Sequence, residues 1–351
     1  MREYIAEQPA ALRRQLVDAV VPAGLPAGPW RKIWFVGSGS SLYAAMIGAN
    51  LCEPLLGVDA EAISSQEFGL DVADTQLGPG TLAVGISQGG ATVALTEGIA
   101  RARRLGATTV GVTAEPSSPL AQVAEHIVHS RTGAEDVPPK TKGFTTTAAA
   151  GCRLVLAIAR ASGAASSECD TLAAALEALP GQTAAALASA EAAAPVMVDR
   201  LRGARGYFVA GTGTLVPAVY EGALKILETA KLFADGRELE EILHGYFNAI
   251  GPETGLILLA GPGAPPDKVA AFCRGAGIVG APLATIALAG APLAQADVTL
   301  PGPAHPGVAP LLGILPLQIL ALRLAVAKGT DPDRTRYPEL YAVFKTKTTH
   351  R

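Results

Sequence analysis

Cysteine, histidine and charge are all sparse in this chain. Its 351 residues include four cysteines and five histidines, and 17% are charged. Cys52, Cys152, Cys169 and Cys273 are scattered, with no C-x-x-C pair among them. That excludes a disulfide framework and reads as reduced, mostly buried thiols of a cytoplasmic protein. No H-x-x-x-H pair occurs, and His126 and His129 lie in a strand-like segment with unlike facing, so no metal site is expected. Lys and Arg number 28 against 31 Asp and Glu, a formal net charge of −3, which leaves no electrostatic footprint for nucleic acid. Apolar runs stop short of the roughly 18 residues a membrane span needs, so no membrane is expected as a partner. Met1-Arg2-Glu3-Tyr4 is not a basic start followed by an apolar core, so a signal peptide is not expected either.

Alternation of strand and helix is what the chain has instead. Strands are expected at Ile33–Val36, Ala60–Ile63, Leu82–Ile86, Thr109–Val112 and Ile127–His129, with helices over 42–52, 92–105 and 143–162. A second alternating unit follows. It has strands at Tyr207–Ala210, Leu256–Leu259, Leu283–Ile286 and Val298–Leu300, and helices over 217–232, 238–247, 267–275 and 309–328. Such alternation implies an α/β fold with parallel sheets covered on both faces. Residues 170–203 are Ala-rich and helical, interrupted at Pro180-Gly181, and look like a connector.

Two strand-to-helix turns have the grammar of an anion site. Ile33–Val36 runs into Gly37-Ser38-Gly39-Ser40-Ser41, and Thr81–Ile86 runs into Ser87-Gln88-Gly89-Gly90-Ala91-Thr92. Free backbone N–H groups, hydroxyl donors and the positive end of a helix converge in such a turn. Helix N-capping is the purely structural alternative for Ser41 and Ser87. Neither turn is a P-loop, since no Gly-Lys-Ser/Thr follows, and Leu42 breaks a G-x-G-x-x-G fingerprint. Gly211-Thr212-Gly213-Thr214 echoes the first turn, which suggests duplication. The second half has no partner for the Ser87–Thr92 turn; Ala289 to Gln295 lacks its hydroxyl and amide cluster.

Far along the chain, Tyr220-Glu221-Gly222-Ala223-Leu224-Lys225-Ile226-Leu227-Glu228 reads as a helix. Glu221, Lys225 and Glu228 fall at i, i+4 and i+7, on one face. A base, a cation and a second carboxylate on one face suit proton shuttling beside a carbonyl. A solvated face with an ordinary salt bridge fits the same spacing. His244 follows Glu228 in a Leu243-His244-Gly245 segment.

Taken with GSGSS, ISQGGAT, KTKGFTTT, EGALKILE and LHG in that order, the chain resembles the tandem SIS (sugar isomerase) domain family. It is most similar to the isomerase half of glucosamine-6-phosphate synthase, stand-alone glucosamine-6-phosphate deaminases and fructosamine-6-phosphate deglycases. No counterpart of the synthase's glutaminase domain is expected. The resemblance implies two SIS domains, each a parallel-sheet αβα sandwich of flavodoxin/Rossmann-like kind. Their expected layout is a leader helix over 1–27, a first domain over 28–165 carrying the phosphate site, a connector over 166–203, a second domain over 204–330 and a tail over 331–351.

The resemblance also implies roles. Ser41, Ser87, Gln88 and Thr92 match phosphate-binding positions, and Gly89 stands where many members have a third hydroxyl. Glu135 and Thr141 match a loop walling the substrate, although Pro138 and Pro139 replace the small residues usual there. Glu228 matches the base that moves a proton between C1 and C2 of an open-chain sugar, a task favoured if burial raises a carboxylate's pKa. His244 matches the ring-opening acid–base, which in relatives reaches the adjacent subunit, so a homodimer with composite sites is implied. Lys225 and Glu221 match residues near the sugar, with Lys225 placed for a developing oxyanion. Synthase-like members carry a Schiff-base lysine after the Gly-Thr-Asp turn. Here the tail is longer, and Lys345 or Lys347 stands nearest that place. The implied reaction is isomerase-type chemistry on an amino- or N-substituted 6-phosphosugar, with no cofactor. The alternatives are a plain aldose–ketose phosphosugar isomerase and a non-catalytic sugar-phosphate sensor.

Overall fold

The computed structural model describes every residue except 19–21, 23, 164–166, 303–304 and 348–351. Two compact units result. One comprises Ala10–Glu135, Lys142–Glu177 and Tyr337–Arg351; the other comprises Met1–Pro9, Asp136–Thr141 and Ala178–Arg336. The first holds strands β1 (Lys32–Gly37), β2 (Ala60–Ser64), β3 (Thr81–Ile86), β4 (Thr108–Thr113) and β5 (His126–His129) in the spatial order β2-β1-β3-β4-β5. The second holds β6 (Gly206–Gly211), β7 (Phe233–Glu238), β8 (Thr254–Ala260), β9 (Leu283–Leu288) and β10 (Val298–Leu300) in the order β10-β9-β8-β6-β7. Every described strand pairing is parallel, for example Ile33 with Leu82 and Tyr207 with Gly255.

In each unit the chain leaves a central strand to one side and crosses back to the other. The reversal falls between β1 and β3 in one unit and between β6 and β8 in the other. Ligands of open α/β sheets bind at the carboxyl ends of the strands flanking such a point. All six residues of β3 are buried, as a strand covered on both faces requires. Trp34, Val36, Phe68, Ala83, Leu95 and Ile99 build one core of the first unit, and Phe208, Leu256, Leu258, Val269 and Phe272 one of the second.

Two expectations need correction. The helix expected over 238–247 is preceded by an edge strand, β7, whose sequence Phe-Ala-Asp-Gly-Arg-Glu has no apolar run to announce it. An edge strand tolerates charges, because solvent covers its open side. Its Gly236 is required: a Cβ there would lie 2.8 Å from the Val219 carbonyl oxygen. Glu238 then caps the short helix Leu239–Leu243, accepting from the Glu240 amide at 2.6 Å, and Gly245 separates that helix from a 3-10 turn at Tyr246–Ala249.

The interruption expected at Pro180-Gly181 is absent, since one helix runs from Ser167 to Leu201 with Pro180 and Pro195 inside it. An interior proline removes one helical hydrogen bond. Here the buried stripe Leu179, Ala186, Ala190, Ala194, Met197 and Leu201 holds the helix in place.

By length and composition alone, Pro306–Ala327 is long and apolar enough to cross a membrane. Of that window 94% is buried inside the protein, including Gln318, so it is a core helix. Cys52 and Cys152 are buried free thiols, pushed by that burial up to about 12, which leaves them inert.

Candidate active site

The turn after β3 is fixed from beneath. The Ser87 amide donates to the Val112 carbonyl at 3.0 Å, tying the turn to β4. The Gln88 carbonyl accepts from the Ala114 amide at 2.9 Å and from the Thr113 hydroxyl at 3.1 Å. Gly90 reverses the chain at φ +59° and lies against Ser118, whose hydroxyl a Cβ would overlap, so only glycine fits. The Ser87 and Thr92 hydroxyls meet at 3.4 Å, over the start of the helix Val93–Arg104. Thr92 is the N-cap residue of that helix, yet its side chain caps none of the first-turn amides. Among the described residues, no backbone acceptor takes the amides of Gln88, Gly89 and Ala91. Hydroxyls and free amides therefore surround the positive end of a helix.

Capping, the structural alternative for the serines, is not what they do. Ser87 precedes the helix by several residues, and Ser41 sits inside the helix Ser40–Ala49, whose N-cap is Gly39. The Ser41 amide donates to the Ser38 carbonyl at 3.2 Å, and a Cβ on Gly37 would lie 2.6 Å from the Ser41 carbonyl carbon. The turn after β1 thus folds directly onto the strand end.

Glu135 is buried and has a defined task. Its two carboxylate oxygens accept from the amides of Lys142 (3.2 Å) and Gly143 (2.9 Å), closing the start of the helix Lys142–Ala161. The tail also reaches this unit's turn. The Val93 amide donates to the Thr346 carbonyl at 3.3 Å, and Thr92 pairs with Lys347 in an antiparallel bridge. Lys345 is exposed, in a left-handed conformation just after the short helix Leu340–Phe344. Residues 348–351 of the expected tail lie outside the described residues.

In the second unit, the helix Val216–Ala230 carries the charged face. Gly222 lets it approach the helix Ala309–Ala327: a Cβ there would lie 3.0 Å from the Leu317 Cβ. Thr229 clamps the same contact, donating to the Ala321 carbonyl at 3.1 Å. Burial follows, so the face is not a solvated one: Glu221 and Lys225 are 0% exposed. The Lys225 ammonium lies 3.2 Å from the Glu221 carboxylate and donates to Glu228, whose side chain is 31% exposed. Burial alone would depress the Lys225 pKa, but the Glu221 and Glu228 charges outweigh it and hold the ammonium above its ordinary value. The helix ends on Lys231, in left-handed conformation, whose ammonium bonds to the carbonyls of Glu228 and Arg334.

His244 and Thr141 stand apart from that cluster. His244 is 70% exposed; its Nδ1 lies 3.0 Å from the Glu240 carbonyl oxygen, and among the described residues no bond joins it to Glu228. Thr141 is buried, and its carbonyl accepts from Gln318 at 3.4 Å. The seats provided by Gly90 and Gly222 were not foreseen. Their only sequence signal is a small residue, and what each accommodates lies elsewhere in the chain.

The family model of the SIS domain matches residues 29–159, which contain β1–β5 and both hydroxyl-rich turns. This part of the chain is a SIS domain. The isomerizing glutamine–fructose-6-phosphate aminotransferase of Gloeobacter violaceus is 29% identical over 352 aligned positions, covering 96% of this chain and 57% of that protein. The chain thus spans little more than half the length of that relative. Among solved structures, the C-terminal domain of glucosamine-fructose-6-phosphate aminotransferase from Francisella tularensis aligns with a TM-score of 0.84 at 21% identity, covering 95% of this chain and 97% of that one. Glucosamine-6-phosphate deaminase from Thermotoga maritima aligns with a TM-score of 0.74 at 19% identity, covering 95% and 97%. The family and fold read from the motifs are therefore correct, including two parallel five-stranded sheets flanked by helices.

Placed beside the SIS domain, the second sheet corrects one comparison. In strand order, β8 is the counterpart of β3, so the counterpart of Ser87–Thr92 is Gly261-Pro262-Gly263-Ala264-Pro265 and not Ala289–Gln295. That stretch, too, has no hydroxyl.

Proposed function

We propose that the chain is a phosphosugar isomerase-type enzyme acting on an amino- or N-substituted 6-phosphosugar, of deaminase or deglycase type. The observation carrying this reading is the Glu221–Lys225–Glu228 cluster, in which a buried ammonium orients a carboxylate that stays partly open. Ser41, Ser87, Gln88 and Thr92, with the free amides of their turn, receive the phosphate. Glu228 removes the proton from the carbon next to the carbonyl or imine and returns it to the neighbouring carbon, through an enediol or enolamine. Lys225 has no exposed surface, so it holds Glu228 in place and does not touch the developing oxyanion itself. Glu221 supplies the second charge that keeps Lys225 cationic. His244 acts as the ring-opening acid–base. Its exposure supports a homodimer in which it serves the partner's site, and an active monomer in sedimentation equilibrium would sink that part.

The reading is tested with glucosamine 6-phosphate, fructose 6-phosphate plus ammonia, and fructosyl-amino-acid 6-phosphates in deuterated water, with products read by mass. One of them is expected to turn over with solvent deuterium at the product carbon. If none does, the proposal is wrong. Borohydride trapping, read by peptide mass, assigns the subclass: an adduct at Lys345 or Lys347 marks a Schiff-base route, and no adduct marks direct acid–base cleavage.

A further inference from the structure

The side chain of Gln88 lies against an element far from its own turn. The helix Lys142–Ala161 opens Lys142-Gly143-Phe144. A Cβ built on Gly143 would overlap Gln88 Oε1, and would lie 2.6 Å from Gln88 Cδ and 2.7 Å from Glu135 Oε2. Gly143 has ordinary helical backbone, outside the left-handed region, so conformation does not call for glycine. Alanine is also the better helix former. What glycine supplies here is space.

The neighbours differ in their freedom to move. The Glu135 carboxylate is held by the Lys142 and Gly143 amides, and the Gln88 main chain by Ala114 and Thr113. The Gln88 carboxamide is the end of a flexible side chain, so a methyl group on Gly143 would displace it first. There is a second consequence. With Glu135 on its first amides, the start of the Lys142–Ala161 helix is closed to another anion, whereas the Val93–Arg104 helix is not capped by its own Thr92.

We propose that Gly143 is a positioning residue for the phosphate turn. Its missing side chain is the seat on which the Gln88 carboxamide rests, and Glu135 keeps that seat rigid. This rests on the reading of Ser87–Thr92 as the phosphate site. Gly143→Ala therefore acts through Gln88. It weakens phosphosugar binding and raises KM, leaving kcat at saturation unchanged, since Glu228 is untouched.

The test is a double-mutant cycle read by calorimetry with fructose 6-phosphate. Gly143→Ala is expected to weaken binding about 10-fold, the loss of one hydrogen bond to a charged group. Melting temperature should fall only modestly, because the methyl group also presses on the pinned Glu135 carboxylate. The effect should vanish in a Gln88→Ala background, because the two residues act as one unit. Gln88→Asn, one methylene shorter, should restore part of the affinity in the Gly143→Ala protein. Ser87→Ala separates this inference from the reading beneath it. If Ser87→Ala weakens binding and Gly143→Ala does not, the seat is wrong and the phosphate site stands. If neither weakens binding, the phosphate site itself is wrong. An equal loss from Gly143→Ala with and without Gln88 shows a merely structural glycine and overturns the proposal.

Discussion

Strands β3 and β8 hold the same place in their sheets, each next to the point where the strand order reverses, but their following turns differ chemically. After β3 come Ser87-Gln88-Gly89-Gly90-Ala91-Thr92, with hydroxyls, an amide side chain and free N–H groups. After β8 come Gly261-Pro262-Gly263-Ala264-Pro265, with no hydroxyl and two prolines that have no N–H to offer. Pro265 and Pro266 then start the next helix, where Thr92 and Val93 start the first. The turns after β1 and β6 are alike in glycine and hydroxyl content, but the second leads into the helix bearing Glu221, Lys225 and Glu228. One architecture, used twice, carries two kinds of polar group: hydroxyls and free amides in one unit and the Glu221–Lys225–Glu228 charge cluster in the other.

That division is open to attack, and the largest effect should come from the base. Glu228→Gln keeps shape but removes basicity, and kcat should fall about 10²–10⁴-fold. KM should barely move, because the residues proposed to hold the phosphate are others. A mutant turning over near the wild-type rate would end the assignment of Glu228.

Next comes stability. Lys225→Met leaves the fully buried Glu221 without its ammonium, and removing one partner of a buried ion pair costs about 3–5 kcal/mol. Urea unfolding at neutral pH measures it. The pH dependence has a definite sign. Because the folded-state pKa of Lys225 is raised, its contribution is complete below the free lysine value of about 10.4 and is lost as pH climbs through the folded value. The deficit of Lys225→Met should therefore shrink only in strong alkali. A deficit under about 1 kcal/mol would mean the cluster is solvated after all.

The smallest effects separate the two turns directly. Ser87→Ala should weaken fructose 6-phosphate binding about 10-fold to 100-fold, the range for a hydrogen bond to a charged group. Ala264→Ser adds a hydroxyl at the corresponding turn of the second unit and should leave affinity unchanged. If Ala264→Ser strengthens binding, the second turn is an anion site too, and the comparison collapses.

Motif order and strand–helix alternation were enough to identify the family, both sheets and the two groups of candidate residues. Nine of the ten strands stand where the alternation puts them, the central ones because buried parallel strands such as β3 are apolar runs that need no outside information. The exception, β7, is an edge strand of mixed polarity, and Phe-Ala-Asp-Gly-Arg-Glu becomes a strand only because β6 offers it a hydrogen-bonding edge. Helical spacing of i, i+4 and i+7 by itself places Glu221, Lys225 and Glu228 on one face. Whether that face meets water depended on Leu317 and Ala321, some ninety residues on, since helix periodicity says which residues are neighbours and nothing of what covers them. In the same way, a glycine in Lys-Gly-Phe carries no sign that Gln88 and Glu135 will press against it. Local chemistry, written in consecutive residues, was determined by the sequence itself. Burial of the charges and the shape around Gln88 were decided by tertiary contacts between distant segments, because only folding brings those segments within van der Waals reach.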